Sequence, residues 1–321
     1  MRMKATATLA LVASLIAGMT LAATGSKAPP SGETPATQAR LATKAGLVAV
    51  ARAGDSLVAV GDFGTVVRST DGGLTWSQAA SVPVSGLLTA VSFADPKNGW
   101  AVGHGGVILV TRDGGNNWSI QHVADGKPVL LGVLFTDAAH GYAVGAYGTA
   151  LVTADGGKTW TPMVVGEGRD ADLHLNHIFA GRDGALFTAG ESGAAFRSRD
   201  GGAHWERLHT GVSGSLWGGL VRRDGRVLLL GMSGRVLESS DGGTSWKGLE
   251  SGTSQALTGG VERADGGLVL VGSGGAVVAS RGGELATVIR ADRQNLAAVV
   301  EGGGALVLLG QSGILRESAG K

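Results

Sequence analysis

Asp170, Asp172, His174 and His177 crowd one segment, 166–177, and two carboxylates with two imidazoles at such spacing could hold a metal ion. That segment joins the outer strand of one repeat to the inner strand of the next. A solvated loop, with both histidines belonging to the inner strand, is therefore expected. Ser/Thr-x-Asp-Gly-Gly-x-x-Trp occurs five times, and one such Asp-Gly-Gly alone would suggest a calcium loop. Its regular recurrence points to a structural turn instead. Cleaving a glycosidic bond needs two carboxylates about 5–10 Å apart, and no acidic residue stands out from the repeats. Both tyrosines, Tyr142 and Tyr147, occupy repeat positions, and the absence of cysteine excludes disulfides, a lipid-anchored cysteine and thiolate metal sites. No catalytic residue, metal or cofactor is assigned; the expectation is a binding protein and not an enzyme.

The scaffold behind these residues is a repeat. An apolar residue, Gly-x-x-Gly and an apolar run recur seven times, at Gly61/Gly64, Gly103/Gly106, Gly145/Gly148, Gly190/Gly193, Gly231/Gly234, Gly272/Gly275 and Gly310/Gly313. Their spacings, 38 to 45 residues, match one four-stranded propeller blade. The five stricter copies supply Asp71 and Trp76, Asp113 and Trp118, Asp155 and Trp160, Asp200 and Trp205, and Asp241 and Trp246. In each, the Asp accepts hydrogen bonds from N–H groups of its own turn, the glycines permit positive φ, and the Trp buries a large surface between blades. The sixth unit has Arg281 and Leu285 at the Asp and Trp positions, and the seventh stops at Ser318.

Read in full, the second unit predicts strands at Leu88–Phe93, Gly99–Gly103, Val107–Thr111 and 117–123. Inner strands should be small-sided where the channel is tight, as at Ala90, Gly132, Gly218-Gly219, Gly259-Gly260 and Ala297-Ala298. The fold class is all-β: a seven-bladed β-propeller with Asp-box turns over residues 37–321. Thr37–Lys44 resembles the outer strand Trp205–Thr210 and is expected to pair into the last blade, closing the ring and removing free sheet edges.

Arg2 and Lys4, the apolar stretch Leu9–Leu21 and a small-residue cleavage site at Ala22 read as a signal peptide over 1–22, followed by a flexible leader over 23–36. No later segment is long and apolar enough to span a membrane. Cleavage removes two cations, leaving 25 basic against 26 acidic side chains, a balance that argues against nucleic acid. Glycine, at 57 of 321 residues, fits many tight turns and has no collagen period.

The repeats resemble those of the photosystem II assembly-factor family, whose blades run Leu-x-x-Val-x-Phe, Gly-x-Ala-Val-Gly, Gly-x-Ile-Leu-x-Thr and Asp-Gly-Gly-x-x-Trp. Leu88–Phe93, Gly99–Gly103, Gly106–Thr111 and Asp113–Trp118 follow that grammar. The resemblance implies an exported propeller, periplasmic or lumenal, that holds a membrane-protein complex or its assembly intermediate. The client is a photosystem II precursor in a photosynthetic host and an exporter or another complex elsewhere. A monomer that does not span the membrane after signal cleavage is expected. The alternative is a glycan-binding or glycan-hydrolysing, sialidase-like Asp-box protein. Against it, no arginine triad or Tyr–Glu pair stands out, and the nearest approach to Phe-Arg-Ile-Pro is Phe196-Arg197-Ser198.

Partner contact is assigned to the turns between second and third strands, which vary in chemistry between fixed glycines: Asp62, Phe63, His104, Tyr147, Glu191, Met232 and Gln311. The opposite face gathers Arg52, Arg182, Arg222, Arg223, Arg226, Arg263 and Arg281 with Asp55, Asp183, Asp224 and Asp265, and is expected to be a self-neutralising rim.

Overall fold

Short apolar runs broken by glycine turns fold as antiparallel strands, because each turn reverses the chain within hydrogen-bonding reach of the strand before it. The computed structural model describes residues 34–281 and 283–318; the signal segment and residues 23–33 of the leader lie outside them. Seven antiparallel sheets form a propeller, six with four strands in chain order and the last with three. In the second blade the strands are Leu88–Phe93, Gly99–Gly103, Val107–Thr111 and Ser119–Val123. The outer strand starts only at Ser119 because Asn117 is still tied into the preceding turn, its N–H donating to Asp113 Oδ1 at 2.9 Å.

Apolar side chains cover both faces of the second strand of each blade, and Gly99–Gly103 and Val227–Gly231 are buried throughout. Sheets with two apolar faces must stack on neighbours. The core is accordingly divided into seven seams, one between each pair of adjacent blades. Trp118 packs with Val58 and Val60 of the first blade, Trp160 with Trp100 and Val102 of the second, and Trp76 with Val307 and Leu309 of the seventh. Each motif tryptophan thus plugs the seam to the preceding blade. Truncating a buried Trp costs about 3–5 kcal/mol, more than one turn hydrogen-bond set, so the seams dominate stability.

The Asp-Gly-Gly turns aim those tryptophans. In the first, Ser69 Oγ donates to Asp71 Oδ1 (2.7 Å), Gly73 N–H to Ser69 Oγ (2.8 Å) and Thr75 N–H to Asp71 Oδ1 (2.9 Å), while Trp76 Nε1 donates to the Gly73 carbonyl (3.2 Å). Gly72 and Gly73 sit at φ 73° and 87°, open only to glycine without strain.

The expected closing strand is not formed. The last blade consists of Leu296–Gly302, Ala305–Gly310 and Gly313–Ser318, with no fourth strand on its outer edge among the described residues. Ala42–Lys44 make a single 3-10 turn, and the Thr43 carbonyl packs where a Cβ on Gly313 would be, as the Val84, Ala171 and Val212 carbonyls do at Gly64, Gly148 and Gly193. This turn therefore takes the place of an outer-to-inner connection, leaving only Ala36–Gln38 in register to be a strand. Those residues are drawn to the first blade instead. Ala36 N–H donates to the Val82 carbonyl (3.0 Å), Gln38 Nε2 to the Ala79 carbonyl (2.7 Å), and Gln78 Nε2 to the Thr37 carbonyl (2.9 Å). Among the described residues the ring closes without strand pairing, Leu57, Ala59 and Val67 meeting Val300, Val307 and Leu309 under Ala42 and Arg52 donating to the Glu301 carbonyl.

Candidate functional site

The Gly-x-x-Gly turns and the outer-to-inner connections share one face. The first residue of every turn donates its N–H to the carbonyl just before its own blade's inner strand: Asp62 to Gly46, His104 to Leu87, Ala146 to Val129, Glu191 to His174, Met232 to Ser215, Ser273 to Ala256 and Gln311 to Asn295, all at 2.8–3.0 Å. Seven identical tethers make the face rigid. In the first six turns the next residue stands in left-handed backbone, with Phe63 at φ 56° and Tyr147 at 53°. Large residues tolerate that region poorly, yet Phe63 and Tyr147 are 75% and 73% exposed. Bulky apolar side chains are held outward on backbone better suited to glycine.

Asp62 and Phe63 share one turn, and His104, Met232 and Gln311 stay on three others around the ring. Tyr147 and Glu191 are brought together by His174. Tyr147 N–H donates to His174 Nδ1 (3.1 Å) and the two rings lie 4.8 Å apart. His174 N–H donates to Glu191 Oε2 (3.2 Å), which also lies 3.9 Å from His174 Nε2. Beside them a depression of about 300 Å³ is lined by Leu131, Ala146, Asn176, Ser215 and Trp217.

Trp217, 41% exposed at the start of an inner strand, was not singled out by sequence reasoning. The signal was available. Of the seven tryptophans five belong to the motif, Trp100 is buried against Phe135 with ring centroids 3.4 Å apart, and Trp217 is left without a repeat function. At its position the other blades carry Val48, Thr89, Leu131, Asn176, Thr258 and Ala297.

Below the mouth the channel narrows to a cavity of about 250 Å³. Its ring of small residues is Ala49, Ala90, Gly132, Gly218, Gly259 and Ala298, interrupted by His177. Desolvation by burial pushes the His177 pKa down to about 4. Gly219 N–H donates to Nδ1 (3.2 Å), which requires that nitrogen unprotonated. Thr89, Asn176 and Thr258 bridge neighbouring inner strands by donating to the Leu130, Leu216 and Leu296 carbonyls.

The four residues that could have held a metal are not brought together. Asp170 pairs with Arg207, His174 with Glu191, and His177 faces the channel from within the inner strand Leu175–Ala180. His174 lies just before that strand.

On the opposite face the arginines are tied down, but only Asp224 and Asp265 of the four expected aspartates pair with them among the described residues. Arg226 meets Asp224 (2.6 Å) and Glu238 (3.0 Å), Arg222 meets Glu262 (3.4 Å), and Arg263 meets Asp265 (3.2 Å). Arg223 donates to the Arg263 and Ala264 carbonyls, Arg182 to that of Arg222 and Arg52 to that of Glu301. The Arg281 side chain lies outside the described set.

The family model described as Photosynthesis system II assembly factor YCF48 matches residues 125–280, the stretch that carries Tyr147, His174, Glu191, Trp217 and Met232. No curated protein matches the chain by sequence. A structure of YCF48 bound to D1 peptide is 22% identical, covers 90% of this chain and 100% of that one, and has a TM-score of 0.72. YCF48 from Cyanidioschyzon merolae is 19% identical, with 88% and 98% covered and a TM-score of 0.67. Virginiamycin B lyase from Staphylococcus aureus is 9% identical over 88% and 97%, with a TM-score of 0.73. At these identities the three structures speak for a shared propeller fold.

Proposed function

Because residues 125–280 belong to the photosystem II assembly-factor family, we propose that this chain is an exported, non-catalytic scaffold that holds part of a membrane-protein assembly intermediate on its turn-bearing face. The observation that carries the reading is the cluster at the channel mouth, where Tyr147, His174 and Glu191 meet beside Trp217, all four within the matched stretch. There Tyr147 and Trp217 offer apolar area on a tethered backbone beside the Glu191 carboxylate. Pre-ordered aromatic side chains lose little conformational freedom on contact, which favours broad capture of moderate affinity. The D1 peptide bound by one YCF48 supports a peptide segment of a membrane-protein subunit as the client. Export rests on the charged and apolar pattern of residues 1–22.

The test is a titration with D1 peptide, together with crosslinked capture from detergent-solubilised membranes of the host. A variant carrying His104→Ala, Tyr147→Ala and Glu191→Gln should lose about tenfold or more in capture, equivalent to about 1.4 kcal/mol, while melting with the wild type. No turnover on sialosides or xyloglucan fragments is expected. Capture unchanged by the triple variant would move the site to the arginine-bearing face. Glycosidase turnover lost on changing one carboxylate would overturn the reading.

A further inference from the structure

Six of the seven seams are plugged by a side chain from the outer turn of the later blade: Trp76, Trp118, Trp160, Trp205, Trp246 and, where the motif has decayed, Leu285. Among the described residues the seam between the sixth and seventh blades has none. In its place lies an open groove of about 530 Å³ between the outer strand Glu284–Ile289 and the last blade. Its floor is Val277, Ala279, Ala286 and Leu306, and its rim holds Val288, which is 58% exposed. At one end Arg290 is fixed between Asp292 and Glu317. Beside the groove, Gly313–Ser318 is the one third strand without an outer neighbour among the described residues. Alternate N–H and C=O groups of such an edge point outward with no ladder partner. The chain's own candidate for that position is committed elsewhere, Ala36–Gln38 being bonded to the first blade.

We propose that this flank takes up an extended segment of a partner chain, which adds to Gly313–Ser318 as a fourth strand and seats a bulky apolar side chain, aromatic by preference, in the groove. The six filled seams define the occupant, since each shows what fits beside these strands: a tryptophan or leucine leading into two or more extended residues. Backbone pairing provides affinity and the apolar anchor provides selection, as in other strand additions. The flank contact is separate from the turn-bearing face and does not depend on it.

A labelled peptide copying residues 198–210, the outer turn and strand of the fourth blade with its Trp at position 205, tests this on the full chain by fluorescence polarisation. Saturable binding is expected, weakened about tenfold or more when the peptide Trp becomes Ala. Val288→Glu in the protein should weaken it similarly with an unchanged melting curve, since Val288 is exposed; the His104/Tyr147/Glu191 triple variant should bind the peptide as wild type does. No binding, or binding indifferent to both changes, overturns the proposal. Concentration-dependent self-association abolished by Val288→Glu would also overturn it, assigning the edge to a second copy.

Discussion

A single carboxylate organises each Asp-Gly-Gly turn, and its energetics can be read at that residue. Asp113 accepts from the N–H groups of Asn116 and Asn117 and from the Thr111 hydroxyl. Asp113→Ala leaves these donors partnerless and should cost about 1–3 kcal/mol, seen as a lower midpoint in denaturant, with added calcium making no difference to the wild type. Hydrogen bonds from the Thr159 N–H and hydroxyl lower the Asp155 pKa to about 2, and those from the His204 N–H and ring do the same for Asp200. These carboxylates contribute stability that is present above their unfolded pKa near 4 and is lost as pH falls toward about 2. His177 acts in a higher window. Its folded pKa of about 4 lies below the ordinary 6.5, so the unfolded chain takes up the proton first and stability declines as pH falls from 6.5 to 4. His177→Gln should flatten the melting temperature across that interval while leaving the decline below pH 4 in place. An unchanged slope would remove His177 from the account. The residue itself was legible in the sequence, but its place in the channel was not, because only the register of the inner strand turns it inward.

Strand boundaries within the repeats were legible because glycine and the Asp turn punctuate them; the second blade differs from its reading only at Asn117, held by the turn, and Trp118, whose N–H donates to the Ser81 carbonyl of the first blade. The element that misled was Thr37–Lys44. Its likeness to Trp205–Thr210 is a likeness of pattern, and pattern does not say which sheet edge a segment will join. Two glutamine amides, Gln38 and Gln78, decide it in favour of the first blade. The segment still contributes by covering the seam with Ala42. Deleting Thr37–Lys44 should cost about 2–3 kcal/mol from lost apolar burial and hydrogen bonds, lowering the melting temperature by several degrees. A truncated protein that melts with the wild type would mean the segment is only a tether. Trp217 escaped notice for the opposite reason: it sits inside a well-read element, and its exposure comes from the ring, which no single blade contains.

Across the whole molecule, the seven-fold arrangement was legible from spacing alone, whereas the channel mouth was half legible. Tyr147 and Glu191 were named as separate display residues, and their union through His174 depends on two adjacent blades meeting at the angle the ring imposes. That ring has one junction unlike the rest. The chain itself crosses from each blade to the next six times, but among the described residues the first and seventh blades are joined by no chain crossing, just by packing and the Arg52 hydrogen bond to the Glu301 carbonyl. Such a ring resembles a split washer: its cheapest large motion is to part at the gap while the remaining seams stay shut. Amides of Leu57–Val60 and Val307–Gly310 should then exchange with deuterium through a sub-global opening, faster than Ala143–Gly145 or Phe187–Gly190 on the far side. Uniform exchange around the circle would mean that the contacts under Ala42 latch the gap as firmly as a covalent crossing does.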